Sequence, residues 1–105
     1  MRPFLLAFSA AVLASILAIP TVAASAKPAA TDCAAAADAH RSYWLDRSDK
    51  DPATAQQEVQ VADAVLAVLG EQPISTEQRS KYKALNPDMR GVFLRRCAIQ
   101  YPASS

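Results

Sequence analysis

Hydrophobic positions along this 105-residue chain fall into two regimes. From Phe4 to Ile19 they run together, broken only by Ser9 and Ser15, and Pro20 ends the run. From Cys33 onward they recur at helical spacing between short polar breaks. In the first such segment Cys33, Ala37, His40 and Trp44 share one face of an Ala-rich stretch. The high helix propensity of alanine predicts a helix through about Asp46, with Thr31 or Asp32 as its cap. Lys27 to Ala30 precede it as a short, loose lead containing Pro28, and residues 102–105 form a loose tail. Ser48-Asp49-Lys50 is a polar break.

Asp51-Pro52 opens a second helix, because Asp accepts from free backbone N–H groups and Pro at the first helical position forfeits no hydrogen bond. Val61, Val65, Val68 and Leu69 line one side to its end, with Ala62 and Leu66 beside them. Gly70 is placed to stop it in a left-handed conformation. After a turn from Glu71 to Ile74, Ser75 and Gln78 have the spacing of a capping box. They start a short third helix with Tyr82 and Leu85 on its apolar side. Asn86-Pro87 opens a fourth helix to about Gln100, with an expected stripe of Met89, Val92, Phe93 and Cys97. Gly91 is a mild weakness within it, and Pro102 lies beyond its end. No alternating pattern of useful length indicates a strand. The fold class is therefore all-α: a small bundle of three to four short helices.

The apolar run acquires a different meaning from its flanks. Met1-Arg2-Pro3 gives a basic start, and Ala24-Ser25-Ala26 gives small residues at the positions a signal peptidase reads. Together they predict a cleavable secretory signal over residues 1–26, cut after Ala26 or, as a second site, after Ala24. The rival is an uncleaved anchor, since a spanning helix needs about 20 apolar residues. Pro20 and the small-residue tail favour cleavage. A single Arg gives no twin-arginine signal, and Ala30-Thr31-Asp32 is a poor approach to a lipidated Cys33. Cleavage after Ala26 leaves 79 residues as one domain, residues 27–105, with ten Lys/Arg against ten Asp/Glu. The expected location is outside the cytoplasm, the bacterial periplasm above all, with secretion to the medium as the other destination.

An exported domain this small buries only about 60% of its unfolded surface. Its two cysteines, Cys33 and Cys97, are then expected to pair. Closing the loop between them stabilises by about 4 kcal/mol through chain entropy. The bond ties the start of the first helix to the end of the fourth, so the two helices run antiparallel. At 1.5 Å per residue, Trp44 then packs on the fourth helix near Met89 or Phe93. Zinc and redox readings are weaker, because His40 is the sole histidine and no C-x-x-C spacing exists.

Charge is uneven along the chain. Nine acids and three bases lie between Asp32 and Glu77, whereas Arg79 to Arg96 holds six bases and only Asp88 as an acid. The simpler reading is attraction between early and late helices. The functional reading is a basic surface of Arg79, Lys81, Lys83, Arg90, Arg95 and Arg96, open to a partner, an anionic lipid or a polyanion. The formally neutral mature chain does not point to nucleic acid as a partner.

No catalytic constellation emerges, and no cofactor is expected. His40 as a general base needs a nucleophile nearby, and Ser42 does not share its helical face. Asp38 and Asp46 could partner His40 only through folding, and a structural histidine is the better reading. Haem attachment lacks its C-x-x-C-H, and two glycines in the whole chain exclude a phosphate-binding loop. Asp49 and Asp51 flank a helix start, where capping explains them. The sole asparagine precedes Pro87, so N-linked sugar is not expected. Tyr43, Trp44, Tyr82 and Tyr101 are the aromatics available to a binding surface. The expected function is a non-enzymatic exported module that binds another envelope or secreted protein, as an accessory subunit, inhibitor or chaperone-like factor. The alternative is a binder of anionic lipid or polyanion.

Overall fold

A computed structural model describes residues 27–103; the expected signal segment, with its cleavage or anchoring, lies outside the described residues. Four helices follow in order: α1 (Ala30–Leu45), α2 (Pro52–Leu69), α3 (Thr76–Ala84) and α4 (Pro87–Gln100). Among the described residues there is no strand, and no helix is long and apolar enough to cross a membrane.

Helix α1 is the hub, packing against α2, α3 and α4, while α2 also meets α4. Its first three turns bury Cys33, Ala34, Ala35, Ala36, Ala37, Ala39 and His40. That is more than the single face expected from spacing. The cause is side-chain size: methyl groups leave room for neighbours on several sides, and a helix apolar around its circumference belongs inside. Val65 of α2, Tyr82 of α3 and Leu94 of α4 complete the core around it.

Helix boundaries follow local chemistry. Asp51 Oδ1 accepts from Thr54 N, and Pro52 occupies the first position of α2. Ser75 and Gln78 form the full reciprocal capping box at α3. Asn86 Oδ1 accepts from the amides of Asp88 and Met89 at the start of α4. Gly70 ends α2 with φ 67° and ψ −161°. Its φ is positive as expected, but the ψ belongs to an extended region open essentially to glycine alone rather than to the left-handed helix.

The start of α1 departs from expectation. Its cap is Ala29, without a side-chain hydrogen bond. Thr31 and Asp32 lie inside the first turn, where Thr31 Oγ1 and Asp32 Oδ1 both accept from Gln78 Nε2. These candidate caps instead dock α1 to α3. The lead before α1 is also held, since Tyr101 Oη donates to the Pro28 carbonyl at 2.8 Å and Lys27 Nζ lies over the Tyr101 ring.

Cys33 and Cys97 form the expected disulfide, with Cα atoms 5.9 Å apart. A second contact sets the direction of the helix pair. Moving up α1 from Cys33 to His40, and down α4 from Cys97 to Arg90, reaches another bonded pair. Equal steps in opposite senses make α1 and α4 antiparallel.

The exposed and buried sides of α4 overturn the stripe expected from its apolar residues. Met89 and Val92 are each 63% exposed and Ile99 is 73% exposed. The buried positions are Arg90, Gly91, Leu94 and Cys97, with Phe93 stacked on Tyr82 at the edge of the core. The disulfide at Cys97 and the bond from Arg90 to His40, both inward on α4, together set this rotation. With Cys97 turned inward, Arg90 and Leu94 follow it at seven and three residues back, and Met89 and Val92 turn out. Trp44 reaches the expected end of α4. Half-buried, it lines a depression with Pro87, Asp88, Gly91 and Val92.

Candidate interaction surface

The interior carries an unusual polar chain that positions α4. His40 is 1% exposed, and both ring nitrogens are engaged. Arg90 Nε donates to Nδ1 at 3.0 Å, so Nε2 carries the hydrogen and donates to Glu58 Oε1 at 2.8 Å. Glu58 also accepts from Arg95, through Nη2 to Oε2 at 2.6 Å and Nη1 to Oε1 at 3.2 Å. Arg90, also 1% exposed, anchors further through Nη1 to the Tyr82 carbonyl at 2.9 Å, and its guanidinium lies 5.2 Å from the centre of the Tyr43 ring.

Burial pushes the His40 pKa down, with the Arg90 charge adding to that effect and the Glu58 hydrogen bond opposing it. The neutral imidazole this favours is the form that can accept from Arg90. The Arg95 hydrogen bonds lower the Glu58 pKa, with His40 acting in the same sense and burial against it. The network thus holds one carboxylate and two guanidiniums around a neutral ring. Removing one partner from such a set leaves a buried charge or donor uncompensated.

Gly91 makes this approach possible. A Cβ there would stand 3.1 Å from Arg95 Nη1, 3.3 Å from Glu58 Oε1 and 3.5 Å from His40 Cε1. What looks like a weak point in α4 is where Glu58 of α2 and His40 of α1 come up against the α4 backbone. With the Tyr82 carbonyl the network links all four helices, and His40 is sealed inside it.

The basic residues separate into three groups. Arg90 is removed from any surface, a correction with a simple cause: it shares the inward side of α4 with Leu94 and Cys97. Arg79 pairs with Asp38 at 2.9 Å and Arg95 with Glu58 at 2.6 Å. These pairs join the acidic early helices to the basic late ones, as the uneven charge pattern suggested, while Arg41–Asp63 pairs within the acidic half. Lys81, Lys83 and Arg96 are exposed and make no ion pair among the described residues. The basic face is therefore smaller than the sequence implied. Cys33 and Cys97 are both fully buried, and among the described residues no group of three or more His, Cys, Asp or Glu could hold a metal ion.

What remains is the outer side of α4. Met89, Val92, Arg96 and Ile99 are spaced three, four and three residues apart, which puts them on one helical face, and all are exposed. Beside Val92 the surface dips into a depression of about 360 Å³ walled by Trp44, Thr54, Glu58, Pro87, Asp88, Gly91, Val92 and Arg95. Apolar anchors at this spacing are those a helix presents to a partner's groove. Met89 and Val92, expected in the core, lie outside it. Glu58 was not among the expected site residues, although Ala55, Glu58, Ala62 and Val65 lie at helical spacing and put a carboxylate in line with the buried stripe of α2. Compared with protein-family models, curated proteins and solved structures, the chain matches none.

Proposed function

We propose that this chain is an exported, non-enzymatic protein-interaction module whose docking face is the outer side of α4. One observation carries the reading: Met89, Val92 and Ile99 are each more than three-fifths exposed along one helical face, while the same helix buries an arginine and a glycine. Single exposed apolar residues are ordinary on a protein surface; a run of them rimmed by polar groups marks a contact site. Arg96 lies within the run, and Trp44 lines the adjoining depression; both residue types are frequent in binding hot spots.

Export is supported by the leader read from residues 1–26 and by the Cys33–Cys97 bond, which suits an oxidising compartment such as the bacterial periplasm. The non-enzymatic reading is supported by His40, whose two ring nitrogens are committed to Arg90 and Glu58. The polyanion alternative is weakened by the burial of Arg90 and the pairing of Arg79 and Arg95.

The test is site-specific photo-crosslinking in the producing cell, with the photoreactive residue at Val92 or, as a control, at exposed Lys50. One dominant product is expected from position 92, lost when Met89→Asp is added and absent from position 50. Intact mass of the bait should equal a leaderless, oxidised chain. No product from position 92, or the same product from both positions, removes the α4 face as the docking site.

A further inference from the structure

One ridge on that face bears on what occupies it, resting on the docking reading above. Asp88, Val92 and Arg96 stand four residues apart on α4, and all three are exposed. Rows at this spacing are the ridges through which helices pack in the commonest globular class. Neither Asp88 nor Arg96 makes an ion pair among the described residues, whereas Arg79 and Arg95 both do. The ridge therefore reads acid, apolar, base, and it is its own complement when reversed.

We infer that the occupant of this face is a second copy of the chain, with the two α4 helices antiparallel across a two-fold axis at Val92. An axis of that kind brings the same patch from each protomer together, so the patch must be self-complementary. Asp88 then faces the partner's Arg96, Val92 faces the partner's Val92, and Arg96 faces the partner's Asp88. Met89 and Ile99, exposed beside the ridge, widen the apolar contact. The parallel alternative sets Asp88 against the partner's Asp88 and Arg96 against the partner's Arg96, where like charges repel. A contact made mainly by one helix from each protomer falls in the small interface class, under about 1,200 Å² in total, so the pairing is reversible and depends on concentration.

Sedimentation equilibrium on the processed protein, recovered from cells that export it, tests this with four proteins: wild type, Asp88→Arg, Arg96→Asp and the double variant. Both substituted positions are exposed, and circular dichroism checks that each protein keeps its helices. The wild type should self-associate reversibly. Each single reversal makes two like-charge contacts and should weaken the dimer about tenfold, whereas the double reversal restores both pairs and should return it to within about threefold. A wild type that stays monomeric up to about 1 mM, or a double variant no tighter than the singles, overturns the second copy. The two readings fail separately. A monomer that still crosslinks one different protein through position 92 overturns only the dimer, and a position 92 with no crosslink at all overturns the docking face as well.

Discussion

Arg90 donates from Nε to Nδ1 of His40 at 3.0 Å, and both residues are sealed from solvent. The bond fixes the imidazole as the Nε2–H tautomer, which in turn donates to Glu58. Protonating the ring would put a hydrogen on Nδ1, against the arginine donor. The contact that joins α1 to α4 therefore depends on a neutral histidine.

Acid should loosen the fold in a definite order. His40 titrates below its usual 6.5 in the folded protein, so unfolding takes up a proton between that lowered value and 6.5. Its contribution to stability is complete above 6.5 and is lost as pH falls through the folded pKa. Glu58 is also lowered, from 4.5, so its contribution is complete above 4.5 and lost on further acidification. Urea unfolding from about pH 8 to about pH 2.5 should show stability falling in both windows, by at most about 1.4 kcal/mol per pH unit for each proton taken up. His40→Gln should flatten the upper window and leave the lower. An unchanged upper window in that variant would contradict the neutral-ring assignment.

Gly91→Ala should destabilise, against the usual sense of such a change. In an ordinary helix interior, alanine is better than glycine by about 0.5–1 kcal/mol. Here the new Cβ meets Glu58 Oε1 at 3.3 Å, and that carboxylate is pinned by His40 and Arg95. Arg95 can swing aside; Glu58 cannot without surrendering its bond to His40. We expect a net loss of about 1 kcal/mol in chemical denaturation. A gain would mean that the network gives way more easily than its hydrogen bonding implies.

The outward turn of the apolar residues on α4 predicts an inverted substitution pattern. Leu94→Ala, at a fully buried position, should cost about 2–5 kcal/mol. Val92→Ala should change monomer stability by no more than about 0.5 kcal/mol, as surface substitutions do. Arg90→Leu leaves His40 Nδ1 and the Tyr82 carbonyl without their donors, and should cost about 1–3 kcal/mol despite its greater apolarity. Thermal or urea unfolding of the three variants, measured at low protein concentration, decides it. A large loss at Val92 would restore the stripe read from hydrophobicity alone.

Much of the fold was legible because its signals are local. Asp51-Pro52, Ser75 with Gln78, and Asn86-Pro87 state helix starts within a few residues, and all three begin helices. The direction of the α1–α4 pair was legible from Cys33 and Cys97, because a disulfide is a distance constraint written in sequence. The rotation of α4 was not, since its apolar residues fall on both sides of Cys97 and the bond from Arg90 to His40 is what selects between them. The partner of His40 was equally hidden. Glu58 lies 18 residues away on another helix, and no local rule joins them. Their shared mark was a polar residue on a buried stripe: His40 in line with Cys33 and Ala37, Glu58 with Ala55 and Ala62, Arg90 with Leu94 and Cys97.

The disulfide should account for a large share of stability. Its half-cystines are 64 residues apart, and a loop that long restricts the unfolded chain by about 4 kcal/mol. Small domains are stable by only about 5–15 kcal/mol in total, so Cys33→Ala with Cys97→Ala should unfold far more readily in urea. Neither cysteine is exposed in the folded protein, so a thiol reductant must wait for the chain to open. Reduction followed by thiol alkylation and mass should therefore be slow under native conditions and accelerate with urea in step with unfolding. The Tyr101–Pro28 hydrogen bond closes the same end of the molecule, and Tyr101→Phe should speed native reduction modestly if opening of that end is the route. Reduction as fast in the folded state as in urea would mean that the bond is reached without opening, and would remove burial as the source of its protection.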